Sequence, residues 1–331
     1  MANKVRWGVI STARHGLNTV IPAIQQSPSG EVVAIASRNA EQGRKIAAKN
    51  HIPVSYGSYE ALLAAPDIDV IYNPLPNSLH KEWTIRALQA GKHVLSEKPF
   101  GLNAAEAVDM VAVARSTGRK LAETFQWRHH PQAKQARDLI RSGAIGDLRL
   151  IEAAFSFPLS NPDDVRWNPA LGGGALYDLG CYPISLTRYL TGQEPLAVTS
   201  QIHWNKSGVD DMVAATFEFP GEILATINCS FILPLRRYGE AIGTTGALLM
   251  ERCYNQMPEY ESTIVKRGAD REATETISLG RSNCYIMMAE DFNRAVLDHT
   301  EPVFPPEDAI ANMRVIDAIF ESARTGKTAK L

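Results

Sequence analysis

The chain has 331 residues, 45% hydrophobic and 21% charged, with a formal net charge of -2. That length suits two domains with sizeable cores, and the balanced charge without runs of Lys and Arg excludes a nucleic-acid partner. No apolar stretch approaches the roughly 18 residues of a membrane span, and the start runs into a strand-like segment with no room for a signal peptide. The four cysteines, Cys181, Cys229, Cys253 and Cys284, are scattered without C-x-x-C spacing, so reduced thiols in a cytoplasmic protein are expected.

Short apolar runs alternate with helical patterns over residues 1–124, the signature of a parallel sheet covered on both faces. The spacing predicts strands at Val5 to Ile10, Glu31 to Ala36, Ile68 to Tyr72, His93 to Ser96 and near Lys120 to Ala122. Helices are expected at Leu17 to Gln26, Asn39 to Asn50, Ser78 to Ala90 and Asn103 to Ser116. From Leu148 the pattern becomes alternating, at Leu150 to Phe157, Ala197 to Trp204, Met212 to Phe219 and Ile223 to Ser230, which reads as a large, open, mostly antiparallel sheet. One helix, Cys181 to Leu190, interrupts it, and two more, Tyr285 to Asp298 and Pro306 to Ser322, close the chain. The fold class is therefore α/β: a dinucleotide-binding Rossmann-type domain over 1–124 and a substrate-binding and oligomerisation domain over 125–331. The last helix, about 306–322, is expected to pack back toward the first domain.

Glu97-Lys98-Pro99 ends the strand at His93 to Ser96. Proline fixes φ and removes an N–H, so the strand stops there, and a lysine at the carboxyl end of a parallel strand is well placed to meet a ligand. The plain alternative is a surface salt bridge. A dinucleotide loop wants glycines after the first strand, for a tight turn and close approach of amides to pyrophosphate. Here the positions read Ser11, Ala13 and Gly16, small if not all glycine, with Arg14 adding charge at a helix N-terminus. The second strand ends in Ser37-Arg38 rather than an acid. A hydroxyl followed by a guanidinium suits a 2′-phosphate, so NADP is expected over NAD.

Together these segments resemble the glucose–fructose oxidoreductase / inositol dehydrogenase family (Gfo/Idh/MocA). The matching residues are Trp7 to Ile10, Pro74 to Asn77 with His80, Gly91 to Pro99, Trp127 to Pro131, and Leu171 to Pro183 with its run Gly172-Gly173-Gly174. The branch it looks like most is that of dimeric dihydrodiol dehydrogenases and NADP-dependent D-xylose dehydrogenases, whose second motif also carries tyrosine four residues after aspartate. The glycine-poor loop departs from the general family pattern.

The resemblance implies a dehydrogenase or reductase moving a hydride between nicotinamide and a hydroxyl-bearing carbon of a sugar, cyclitol or diol. Tyr182 is the candidate to take the hydroxyl proton and Lys98 to supply the cation its phenolate needs, with the sequence leaving open which of the two transfers the proton, and Asp178 would hold a substrate hydroxyl. A spacing of four at a helix N-terminus puts Asp178 and Tyr182 on one face, and Asp178 as an N-cap is the structural alternative. The cofactor would meet Ser11, Thr12, Ala13, Arg14 and His15, then Ser37 and Arg38, then Pro74, Leu75, Asn77 and His80, then Glu97 and Lys98, with Arg166 and Trp167 from the second domain. His80 has a helix-surface alternative, and the triple glycine would bring backbone close to a ring or sugar. Arg128 and His130 would line the substrate pocket or tie the domains together. No metal is expected, since the adjacent His129 and His130 point apart and no third ligand completes a site. A homodimer or homotetramer through the second domain's sheet is expected. The rival readings are a non-catalytic NADP-binding sensor and a sugar–sugar oxidoreductase that never releases NADP.

Overall fold

The computed structural model describes residues 4–270 and 273–331. They group into two compact units, one running to Thr124 and including Tyr285–Ile310, the other comprising Phe125–Cys284 and Ala311–Leu331.

In the first unit the described residues form a six-stranded parallel sheet from β1 (Val5–Ile10), β2 (Gly30–Ala36), β3 (Val54–Tyr56), β4 (Val70–Asn73), β5 (His93–Ser96) and β6 (Leu121–Glu123), in the order β3-β2-β1-β4-β5-β6. The order reverses between β1 and β4, which opens a crevice at their carboxyl ends, where ligands bind in such sheets. The linking helices are α1 (Ile21–Gln26), α2 (Ala40–Lys49), α3 (Tyr59–Ala64), α4 (His80–Gln89) and α5 (Ala104–Thr117). β4 is buried at every position and β5 at all but its first, as helices on both faces require. α5 shows local control at both ends: the Asn103 side chain accepts from the Glu106 N–H, and Gly118 at φ 66 stops the helix. β3 and α3 were not anticipated, since a three-residue strand is too short to display alternation.

The second unit begins with α6 (Pro131–Arg141), followed by β7 (Leu148–Ser156) and α7 (Cys181–Thr191). Strands β8 (Ala197–Trp204), β9 (Asp210–Phe219), β10 (Ile223–Ser230), β11 (Arg236–Gly243), β12 (Gly246–Glu251), β13 (Thr263–Gly268) and β14 (Ala273–Ser278) follow. The chain closes with α8 (Cys284–Leu297), α9 (Glu307–Thr325) and β15 (Ala329–Lys330). The described residues make a nine-stranded sheet ordered β14-β13-β12-β11-β7-β10-β9-β8-β15, in which β7 and β10 run parallel and the other pairs antiparallel. α7 packs across β7, β10 and β11. From Asp211 on, β9 alternates, with Val213, Ala215 and Phe217 buried and Met212, Ala214, Thr216 and Glu218 exposed. Leu224 of β10 is exposed as well. Among the described residues no helix is long and apolar enough to cross a membrane.

The two closing helices divide differently from the expectation. The segment from Tyr285 to Ile310, with all of α8 but its first residue, joins the first unit, and the chain from Ala311 onward, with most of α9, joins the second. The reason is a buried polar clasp on β1. Asn293 accepts from the Trp7 indole N–H at 2.8 Å and donates to the Ser27 hydroxyl at 2.9 Å. Phe292 lies 5.7 Å from the Trp7 ring, and the Glu290 carboxylate accepts from the hydroxyls of Ser27 and Ser29. Asn293→Ala takes the acceptor from the buried Trp7 indole N–H and a donor from Ser27, and is expected to cost about 1 to 3 kcal/mol, read by urea unfolding; wild-type stability would remove the clasp from this account.

Candidate active site

β1 ends at Ile10, and the next residue, Ser11, takes φ 79, a left-handed backbone that glycine would adopt without strain. Its hydroxyl accepts from the Ala13 N–H at 3.3 Å. The first helical bond runs from the Leu17 N–H to the Ala13 carbonyl, so the amides just ahead of it lie at the positive end of the helix, where a phosphate is stabilised. Gly16 opens a π-helical turn, Gly16–Val20, and a Cβ there would sit 3.1 Å from the Tyr72 ring. The single glycine of the loop is thus kept where β4 presses closest. At the end of β2, Ser37 is buried and its hydroxyl accepts from the Asn39 N–H. Burial pushes the Tyr59 phenol up, and the Arg38 guanidinium, hydrogen-bonded to it, pulls it back.

The loop after β4 is fixed by two buried side chains. The Asn73 amide donates to the Thr84 hydroxyl and to the His80 carbonyl, and its oxygen accepts from the Leu75 N–H. His80 is fully buried, with Nδ1 2.8 Å from the Pro99 carbonyl and Nε2 2.7 Å from the Leu75 carbonyl. Burial pushes its pKa down, while the two carbonyls push the other way. His80 is therefore not on the helix surface, and with both ring nitrogens on carbonyls it clamps Pro74–Pro76 to the segment after Lys98 rather than offering a nitrogen to a ligand.

Glu97 is 8% exposed, and its two oxygens accept from the Tyr72 hydroxyl and the Thr124 hydroxyl, each at 2.7 Å. The same Thr124 oxygen accepts from the Lys98 N–H at 3.2 Å, and the Glu97 N–H donates to the Asn73 carbonyl. The Lys98–Pro99 peptide is cis. The lysine backbone is thus held from both sides at the carboxyl end of β5. His15 of the phosphate loop lies 3.8 Å from the Glu97 carboxylate.

In the second unit Asp178 and Tyr182 lie where a π-helical turn, Leu176–Gly180, runs into α7. The Cys181 N–H reaches back to the Leu176 carbonyl, five residues away, so the pitch is wider than the α-helix expected. Ala175 holds the N-cap position and Asp178 lies inside the turn, so Asp178 is not the cap. Its carboxylate accepts from the Arg166 Nε at 2.7 Å. Arg166 also pairs with Asp164, and the two carboxylates, Asp178 first, raise the pKa of the guanidinium. The Trp167 indole donates to the Asn161 carbonyl, and its ring meets Phe231 edge-on at 5.3 Å. Tyr182 is 7% exposed, with the rings of Phe125 and Phe155 each 5.3 Å away and Tyr254 at 5.5 Å. Arg128 donates to Ser185 and lies over Phe125, while His130 caps α6 and meets the Ser282 hydroxyl, so both serve the unit's own packing.

The triple glycine has a different reason from the one expected. A Cβ on Gly173 would lie 2.4 Å from the Arg166 carbonyl oxygen, and one on Gly174, at φ +125, would lie 2.1 Å from Asp210 Oδ1. The space goes to the protein itself. Asp210 opens β9 and is 1% exposed; its carboxylate accepts from the N–H groups of Leu176, at 2.5 Å, and Ala175. Sequence reading missed it, because its partner is 34 positions away and no local pattern marks an acid at a strand start as the cap of a distant helix.

Comparison with known proteins adds to this geometry. Residues 5–125 match the model described as oxidoreductase family, NAD-binding Rossmann fold, and residues 133–249 match the GFO/IDH/MocA C-terminal domain. The chain is 35% identical over 326 residues to a D-xylose 1-dehydrogenase (NADP(+)) of Haloferax volcanii, covering 98% of this chain and 99% of that one. It is 36% identical over 254 residues to a trans-1,2-dihydrobenzene-1,2-diol dehydrogenase of Mus musculus, covering 76% and 75%. A crystal structure of a 3-ketoreductase from Actinomadura kijaniata with NADP and TDP-benzene superposes with a TM-score of 0.92 at 32% identity, covering 97% of this chain and 98% of that one.

Gly174→Ala forces a side chain into the Asp210 carboxylate at a strained φ. It is expected to lower stability by about 1 to 3 kcal/mol and turnover with it, checked by thermal melting and a steady-state assay. A variant as stable and active as the wild type would refute the packing reason given for the glycine.

Proposed function

We propose a function on one premise: the chain belongs to the GFO/IDH/MocA oxidoreductase family, with an NAD-binding Rossmann fold in its first half and the family's C-terminal domain in its second. The protein acts as an NADP-dependent dehydrogenase or reductase on a CH–OH group of a sugar, cyclitol or diol. The observation that carries this is Lys98, its backbone pinned by Thr124 at the carboxyl end of β5, where a parallel sheet meets its ligands.

The residues of the first unit fit the nucleotide. Ser11 to His15 lead into the helix N-terminus that would take the pyrophosphate, with Gly16 keeping the close approach to Tyr72. Ser37 and Arg38 would hold the 2′-phosphate, with Tyr59 steadying the guanidinium. Pro74, Leu75 and Asn77 would meet the nicotinamide ribose, on a loop that His80 fixes. The cofactor names carried by the relatives support NADP as the choice. When bound, the nicotinamide gives or takes the hydride. Tyr182 takes the hydroxyl proton in the oxidative direction and returns it in the other. A phenol titrates at about 10 in water, so it needs a cation to act near neutrality, and the family resemblance gives that part, with a hydrogen bond to the reacting oxygen, to Lys98. Asp178, oriented by Arg166, accepts a hydrogen bond from a neighbouring substrate hydroxyl. Arg166 is thus given to Asp178 here, and Glu97 to holding the strand end.

Lys98→Met and Tyr182→Phe are each expected to lower kcat by about a hundredfold or more while NADPH still binds. Absorbance at 340 nm with a panel of sugars and polyols reads the first, and nucleotide fluorescence the second. Either variant keeping most of its activity would end the proton-transfer assignment. In the same assay Arg38→Ala is expected to raise KM for NADP about tenfold or more and leave NAD nearly unchanged. Equal losses with both would argue against 2′-phosphate recognition.

The sheet face that exposes Met212 and Ala214 on β9 and Leu224 on β10 would bury itself in a homodimer or homotetramer. Leu224→Lys is expected to yield monomer by light scattering; an unchanged mass would move the interface elsewhere.

A further inference from the structure

The helix that carries Asp178 and Tyr182 lacks an N-terminal cap of its own. Ala175 stands at the cap position and makes no side-chain bond to the turn. The first amides of a helix must still find acceptors, and a buried end without them is costly. Here the acceptor comes from another element. Asp210, the first residue of β9, places its carboxylate 2.5 Å from the Leu176 N–H and also accepts from Ala175 and from its own N–H. Gly174 leaves no side chain in the way, since a Cβ there would lie 2.1 Å from Oδ1. Asp178 follows Leu176 by two residues and Tyr182 by six, so any shift at this end moves both.

We propose that Asp210 is a positioning residue of the reaction: its carboxylate anchors the amino end of the Leu176–Thr191 helix and so fixes where Asp178 and Tyr182 stand. This rests on the reading that Asp178 and Tyr182 serve the chemistry. Burial drives the pKa of Asp210 up to about 6, against the pull of the amides. Its titratable neighbours are Asp211 on its own strand, which pushes the same way, and the Cys229 thiol on β10, which in turn faces Cys181 and Asp178 on the helix. A folded-state pKa above the unfolded 3.8 means that the stability linked to this group is fully present below about 3.8 and is lost as pH rises through about 6. A carboxylate at a helix amino end meets the unpaired amides and the helix dipole together, so it holds the segment more firmly than a neutral acceptor would.

The test is Asp210→Asn in the full-length chain, which keeps the shape and one acceptor oxygen but removes the charge. We expect kcat to fall about tenfold or more, since small displacements of reacting groups are costly, with the NADPH dissociation constant unchanged. The stability difference between variant and wild type should move in the variant's favour as pH rises from about 4 to about 7, the reverse of its effect on turnover. A purely structural residue would lower both together. A kcat within about twofold of wild type would overturn the proposal. Should Asp210→Asn fail to fold, Asp210→Ser and hydrogen exchange in the wild type decide. Protected amides at Ala175 and Leu176 support the anchor, and amides exchanging as a loop does overturn it. Active Tyr182→Phe and Asp178→Asn variants would instead sink the underlying functional reading, an outcome separate from the exchange result.

Discussion

A carboxylate removed from water must be met by donors, and Asp210 is met by the backbone of the helix that bears Asp178 and Tyr182. Everything on that segment follows from the contact. It explains why Gly174 cannot carry a side chain, why the turn needs no cap from its own sequence, and how a wide π-helical start is held in one geometry. The Arg166 guanidinium continues the arrangement outward, fixing the Asp178 side chain as Asp210 fixes its backbone.

The first unit solves the same problem with the same chemistry. Glu97 is a buried carboxylate met by two hydroxyls, from Tyr72 and Thr124, and Thr124 passes the constraint on to the Lys98 N–H. His80 then ties the stretch after Lys98 to the loop beyond β4. In each unit the side chain assigned to chemistry sits one step away from a buried acid, so its backbone is set before any ligand arrives. Reaction rates respond steeply to such pre-organisation, because a misplaced group loses most of the advantage of proximity.

What the sequence disclosed depends on the range of the interactions involved. The parallel sheet of the first unit was legible because β1, β4 and β5 are short apolar runs, each separated by a helical pattern, and both faces of such strands are covered. β9 was legible from its alternation. β11 to β14 were not, since Arg236–Gly243 and Thr263–Gly268 lack a regular buried/exposed period. α6 was missed although Pro131 opens it and His130 caps it, because histidine is an uncommon cap. At the site, Lys98, Asp178 and Tyr182 stood out by their motifs. Of the residues that hold them, Arg166 was singled out but for the cofactor, and Thr124 and Asp210 were not seen, because the three act on positions 12, 26 and 34 residues distant. The triple glycine was visible, but its reason lay in Asp210 and the Arg166 carbonyl, which only the fold brings near.

The central claim is that hydride passes directly between a substrate carbon and nicotinamide on this protein. The most direct measurement uses a polyol deuterated at the carbinol carbon, with NADP as acceptor, and weighs the nucleotide after turnover. The account predicts reduced nucleotide carrying the deuterium. Reduced nucleotide without the label, with deuterium found in solvent, would contradict it.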